Sequence, residues 1–134
     1  VQKEEFFRWM QKNFDDYTEE STGILQDAVK ELEEYFSRRR TLFTVPIHLI
    51  GTDFQKRVWY QLMQIPYGTT VSYAFIASKI GNAKASRAVG GANNKNPLPI
   101  IVPCHRVIGA NGKLVGYGGG LDMKRKLLEI EGIL

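Results

Sequence analysis

Breakers at short intervals restrict the second half of this sequence to short elements joined by tight turns. Pro66-Tyr67-Gly68 forces a turn, Gly81 stands where a helix-terminating glycine belongs, and Pro97 and Pro99 stop the segment before them. Between these points the apolar spacing is helical. Thr52 and Gln55 have capping-box spacing, and Val58, Leu62 and Ile65 continue an apolar face. A short helix capped by Thr70 or Ser72 is predicted next, with Tyr73, Ile76, Ala77 and Ile80 on one side. Asn82-Ala83-Lys84 makes a tight turn into a second helix from Ala85 to about Asn94, with Ala85, Ala88, Val89 and Ala92 as its buried stripe. Two short helices joined in this way form the helix-turn-helix pattern. Ile100-Ile101-Val102 reads as a buried, strand-like run ending at Pro103-Cys104-His105-Arg106. A glycine-rich loop through Gly116 to Gly120 precedes a last helix, from about Asp122 to Glu131.

The first fifty residues are organised differently. Phe6, Phe7, Trp9 and Met10 anchor an expected helix and loop. A better helix follows from about Gly23 to Arg39, striped by Leu25, Ala28, Val29, Leu32 and Phe36 and closed by Arg38, Arg39 and Arg40. Leu42 to Leu49 is predicted as a strand leading to a linker at Ile50 and Gly51. At 134 residues the chain fits one domain, or one domain with a small appendage. The expected fold class is α/β: residues 1–50 as an abbreviated N-terminal α/β domain and linker, and residues 51–134 as a mainly helical C-terminal domain.

No apolar run approaches the roughly 20 residues that span a bilayer, and no signal peptide is read, so a cytoplasmic location without a membrane partner is expected. Val1 is not an initiator Met, and a trimmed or missing start is expected. A single cysteine makes no internal disulfide and no multi-cysteine zinc site, so neither metal nor cofactor is expected.

The net charge of +4 conceals an asymmetry. Residues 1–50 carry seven Lys/Arg and ten Asp/Glu, whereas residues 51–134 carry eleven and four. No acidic residue lies between Asp53 and Asp122, a stretch holding Lys56, Arg57, Lys79, Lys84, Arg87, Lys95, Arg106 and Lys113. A face that lies against phosphates must lack carboxylates, which would repel them, so the layout favours nucleic acid as partner over a merely solvated basic surface. The second helix of the pair presents Arg87, Gly90, Gly91 and Asn94. A major-groove reader offers several hydrogen-bonding side chains, but small residues let a helix backbone approach a narrow groove while one Arg enters the base stack. Tight helix packing is the alternative reason for small residues there.

Cys104 and His105 combine a nucleophile with a potential base. Adjacent side chains diverge, however, by about 100° on a helix and to opposite faces on a strand. Their direct bond therefore requires a sharp turn at Pro103, or else a water relay. From the residues alone Cys104 reads equally as a buried structural cysteine, His105 and His48 as structural histidines, and Glu131 as a surface charge.

Ile101-Val102-Pro103-Cys104-His105-Arg106-Val107-Ile108-Gly109 resembles the active-site signature of the O6-alkylguanine-DNA alkyltransferases. Further matches in order and spacing are Phe54-Gln55 with Val58-Trp59, Ile65-Pro66-Tyr67-Gly68-Thr69-Thr70, Ser72-Tyr73, Arg87-Ala88-Val89-Gly90, Asn96-Pro97, and Gly116-Tyr117-Gly118-Gly119-Gly120-Leu121. The resemblance runs from about Gly51 to Gly132. The preceding helix and strand, with Phe36 and Phe43, look like the tail of the family's N-terminal domain. Some members carry zinc in that domain, and this chain lacks the cysteines for it.

The resemblance implies a single-use methyltransferase that moves an alkyl group from O6-alkylguanine, with O4-alkylthymine as a secondary candidate, in duplex DNA to Cys104 after base flipping. His105 would deprotonate Cys104 through a water, with Glu131 orienting the histidine. Tyr73, Asn96, Pro99, Tyr117 and Gly118 would bind the base; Tyr73, Asn82, Ser86, Arg87, Gly90 and Ala110 would contact DNA. Arg87 would fill the gap left by the flipped nucleotide, and Asn96 would hold the turn before the active-site strand. The implied partner is alkylated double-stranded DNA, bound by a monomer. The rival readings are a non-catalytic lesion-binding relative, which would lack the acceptor cysteine, a helix-turn-helix regulator and a cysteine hydrolase with repeated turnover.

Overall fold

The computed structural model describes residues 22–114 and 120–134, with side chains from residue 26 onward. The expected helix around Trp9, and Tyr117 and Gly118, lie outside the described residues. The chain divides into two compact units, the first ending at His48 and the second beginning at Leu49.

In the first unit, helix α1 spans Thr22–Phe36. Ala28, Leu32 and Tyr35 are buried, a spacing that keeps one face inward; Val29 and Phe36 sit only partly buried at its margin. The helix stops before Arg39 because Arg38 takes a left-handed φ of 64°. The Arg39 N–H can then reach the Glu34 carbonyl at 2.8 Å, a closure usually reserved for glycine. Leu42 to Leu49 is not the expected strand. The buried Glu31 carboxylate takes the N–H groups of Thr44 (2.8 Å) and Val45 (3.2 Å), Arg40 occupies the Leu42 carbonyl, and Pro46 offers no donor. Backbone groups that a ladder would use are thereby committed to side chains. His48 is exposed rather than a packed structural residue.

The second unit is helical with one small sheet. Helix α2 (Asp53–Leu62) starts at the expected capping box, in which Thr52 and Gln55 bond each other's backbone N–H. Val58, Trp59 and Leu62 form its buried face. The Trp59 indole N–H donates to the Ala92 carbonyl at 2.8 Å, and its ring closes so tightly over Gly51 that a Cβ there would lie 2.6 Å from it. Strand β1 (Val71–Ser72) leads into α3 (Tyr73–Lys79), whose cap is Ser72 rather than Thr70. Gly81, at φ 81°, ends α3 as expected, and the Ala85 N–H bonds the Asn82 carbonyl before α4 (Ser86–Asn94) begins. Helix α4 packs against both α2 and α3. Its buried stripe is Val89, Ala92 and Asn93, while Ala88 is exposed and Ala85 precedes the helix. The inward face is thus rotated from the expected one because a polar residue, Asn93, is accommodated there.

A 3-10 turn, Cys104–Arg106, follows, then strand β2 (Val107–Ile108) and helix α5 (Leu121–Ile130). The two strands pair in parallel, Val71 with Val107 and Ser72 with Ile108. This pairing brings the start of α3 beside the exit of the 3-10 turn. No described helix is long and apolar enough to cross a membrane.

Candidate active site

The segment expected as a strand at Ile100-Ile101-Val102 is buried but folded into a tight turn. Asn96 organises it from the end of α4: its amide nitrogen donates to the Val102 carbonyl at 2.7 Å, and its oxygen accepts the Leu98 N–H at 2.9 Å. The Val102 N–H returns to the Leu98 carbonyl at 2.9 Å, leaving an isolated bridge between Pro99 and Val102. Inside this loop Ile100 is forced to a φ of 79°, a conformation costly for a β-branched residue. No run of alternating residues could signal this, because the turn is imposed by a side chain outside it.

The tightened turn delivers Cys104 at the start of the 3-10 turn, almost fully buried at 3% exposure. The Cys104 N–H bonds the Val102 carbonyl (2.8 Å), and its carbonyl receives the Asn93 amide at 3.4 Å. With three residues per turn, the neighbouring Cys104 and His105 side chains leave the backbone about 120° apart.

His105 and Glu131 are both buried, their side chains wholly so, and His105 Nε2 lies 2.5 Å from Glu131 Oε2. The reading of Glu131 as a surface charge fails because it is the C-terminal cap of α5 and its side chain is wholly buried. Its carboxylate accepts from four groups: His105 Nε2 and Arg106 Nη2 (3.1 Å) on Oε2, and Arg106 Nε (2.8 Å) and the Gly68 N–H (3.0 Å) on Oε1. Burial alone would push its pKa up, but the bonds from His105 and Arg106, the attraction of the His105 ring whenever it is protonated, and the Gly68 N–H outweigh it and bring Glu131 down to about 2. An ionised carboxylate only accepts, so Nε2 of His105 carries the proton and Nδ1 of the neutral ring keeps its lone pair. Burial pulls the His105 pKa down; Glu131 opposes that, and the charges of Arg106 and Lys124 reinforce it.

Two further polar groups act on Cys104. Tyr73 is partly buried, and desolvation with the proximity of Cys104 raises its pKa, so the phenol remains a proton donor. Lys124, fully buried on α5, donates to the Val107 carbonyl at 2.6 Å; burial lowers it to about 8, against the pull of Cys104. Sequence reasoning missed both Lys124 and Arg106 as parts of the site. In the sequence Arg106 counts among the cations of the acid-free stretch and is given no role of its own, yet it is 6% exposed and reaches the Ile65 carbonyl at 2.7 Å as well as Glu131. Only its place beside the Cys-His pair could have flagged it.

The remaining expected residues lie apart from the thiol or around it. Arg87 is exposed on α4, with Gly91 and Asn94 also exposed and open space where a Gly91 Cβ would stand. Gly90 faces the Tyr73 ring, whose nearest atoms would lie 3.9 Å from an added Cβ. Ser86 is partly buried at the first turn of α4, and Asn82 and Ala110 are exposed in turns. Pro99 is partly buried beside Val102, and Asn96 has both ends of its amide committed to backbone. Lys56, Arg57, Lys79, Lys84, Lys95 and Lys113 reach solvent to differing extents.

Residues 53–133 match the family described as 6-O-methylguanine DNA methyltransferase, DNA binding domain. The methylated-DNA–protein-cysteine methyltransferase of Methanosarcina acetivorans is 57% identical over 113 residues, covering 84% of this chain and 72% of that protein. The crystal structure of Mycobacterium tuberculosis OGT in complex with DNA is 58% identical with a TM-score of 0.79, over 81% of this chain and 66% of that one. A lower likeness, 30% identity and a TM-score of 0.53 over 63% of this chain and 80% of the other, is to S. pombe Atl1 in complex with damaged DNA containing O6-carboxymethylguanine. The chain therefore spans about two thirds of the length of its mycobacterial relative.

Proposed function

The chain belongs to the 6-O-methylguanine DNA methyltransferase family, and on that premise we propose that it repairs DNA by moving an alkyl group from O6 of guanine to its own Cys104. The observation that carries this reading is the chain's sole cysteine, buried immediately before a buried imidazole that is bonded to a buried carboxylate at 2.5 Å. A free thiol is only a few per cent ionised at neutral pH and requires activation. His105 Nδ1 takes the thiol proton through a bridging water, since the two side chains diverge on the turn. The sulfur attacks the alkyl carbon, the S–C bond forms as the C–O6 bond breaks, and the electron pair leaves on the guanine. Tyr73, held in its protonated form, supplies the proton that the leaving base needs. The thioether has no simple hydrolytic return, so each molecule acts once.

The alkyl carbon lies within the duplex, so the nucleotide must be rotated out at a cost of about a few kcal/mol. Helices α3 and α4 act as a helix-turn-helix, α4 lying in the minor groove on its small face while Arg87 occupies the vacated stack. Tyr73 and Ser86 contact the strand, as do Asn82, Gly90 and Ala110. Asn96 and Pro99 shape the pocket together with Tyr117 and Gly118. The monomer is the acting species, and O4-alkylthymine is a secondary substrate.

Incubation with duplex DNA containing O6-methylguanine, followed by intact mass and peptide mapping, tests the reading. One methyl per protein on Cys104, with repair ending at one equivalent, is expected. Repeated turnover, methylation elsewhere, or tight lesion binding without transfer refutes it.

A further inference from the structure

Arg106 lies closer to the relay than its neighbour's role requires. Its guanidinium forks onto both oxygens of Glu131, at 2.8 and 3.1 Å, its third nitrogen is tied to the Ile65 carbonyl at 2.7 Å, and its plane lies over Tyr67 at 5.7 Å. A buried carboxylate beside a histidine ordinarily draws a proton onto the imidazole and converts a base into a cation. Glu131 stands against His105 in that way, but it is already matched by a permanent positive charge. We propose that Arg106 is a positioning residue for the alkyl-transfer relay: by saturating Glu131 it lets the carboxylate orient His105 without charging it, so the imidazole stays a base.

The surroundings of His105 bear this out group by group. The charged groups acting on it are Glu131 and Lys124 from α5 and its cap, and Arg106 from its own turn. Helix α2, which also packs against the turn, buries only Val58, Trp59 and Leu62. One negative charge thus faces His105 amid two positive ones. Removing Arg106 takes away the cation that is bonded directly to the carboxylate. Its side chain is long, buried and held at four points, so the guanidinium cannot swing to solvent and leave Glu131 unmatched.

The test is an NMR titration of the imidazole nitrogens. The chain has two histidines, and the exposed His48 serves as an internal reference. In Arg106→Met the His105 midpoint should rise by about one pH unit, while in Arg106→Lys, which keeps the charge without the fork, it should stay near that of the original protein. Because Arg106→Met leaves a buried carboxylate unmatched, the same comparison is made between Glu131→Gln and Arg106→Met/Glu131→Gln, which bury no unmatched carboxylate. The double variant should titrate higher than the single only through loss of the direct charge of Arg106 on His105, and by less than in the first comparison, where the carboxylate is also released. The acid limb of single-turnover transfer from an O6-methylguanine duplex should move with the His105 midpoint in Arg106→Met, with DNA affinity unchanged. Coincident His105 midpoints in both comparisons, or an equal shift in the lysine variant, would overturn the assignment. The inference rests on the alkyl-transfer reading only in its kinetic arm. Failure of the unsubstituted protein to methylate Cys104 would refute that reading, while the titration would still decide the role of Arg106.

Discussion

Replacing Asn96 with alanine should loosen the turn that presents Cys104, the proposed acceptor, and the structure sets the size of the effect. Two buried bonds are lost, to the Val102 carbonyl and from the Leu98 N–H. The Val102 carbonyl keeps the Cys104 N–H as a partner, so that loss costs about 1 kcal/mol. The Leu98 N–H is left without its acceptor in a partly buried place, which costs about 1–3 kcal/mol. Against this, the freed loop can relax the φ of 79° at Ile100, returning about 1 kcal/mol. The net destabilisation is about 2 kcal/mol. With a urea slope of about 2 kcal/mol per molar, the unfolding midpoint should fall by about 1 M. Urea titration followed by tryptophan fluorescence measures it, alongside the rate of methyl transfer, which should drop further than the loss of folded protein explains. A midpoint unchanged within about 0.25 M, at the same slope, would mean that the turn is held by its own packing and that Asn96 is not its clamp.

Cys104→Ala should abolish transfer and retain duplex binding, read by intact mass and by gel shift. Arg87→Ala should slow repair of duplex DNA much more than reaction with free O6-benzylguanine, which requires no base rotation; equal slowing would move Arg87 from the stack to the pocket or the fold. The pH dependence of stability follows from Glu131. Its carboxyl is held at about 2 rather than at the ordinary 4.5, so it stabilises the fold above pH 4.5 and that contribution, about 3 kcal/mol, is lost as the pH falls towards 2. Urea unfolding of the protein and of Glu131→Gln between pH 5 and pH 2.5 should therefore converge on acidification; parallel curves would argue against a depressed carboxylate.

The helical skeleton of the second unit was legible because local signals and packing agree there: the Thr52 box, Gly81 and the spacing of Val58 and Leu62 each act within a turn or two. The irregular segments were not. Thr44 and Val45 lie in a β-like run, yet their N–H groups are claimed by Glu31, thirteen and fourteen residues away. The turn around Ile100 is dictated by Asn96, and Ala88 points outward because Asn93 finds a carbonyl inside. In the candidate site, Cys104, His105 and Glu131 came through the family resemblance. Arg106 and Lys124 were hidden because a cation in a basic stretch looks like surface until the fold shows which carboxylate or carbonyl it meets.

The indole of Trp59 offers an optical handle on α4. The chain has two tryptophans, and replacing Trp9 would leave Trp59 as the sole strong emitter. It is 2% exposed, and its N–H holds the Ala92 carbonyl on the same helix as Arg87. Emission energy from an indole depends on that bond and on the dryness of its pocket. A displacement of α4 against α2 on meeting a duplex would stretch the bond and shift the spectrum, whereas rigid docking would leave it still. Gly51, where even a methyl group would press on the ring, gives a site from which that signal can be deliberately detuned.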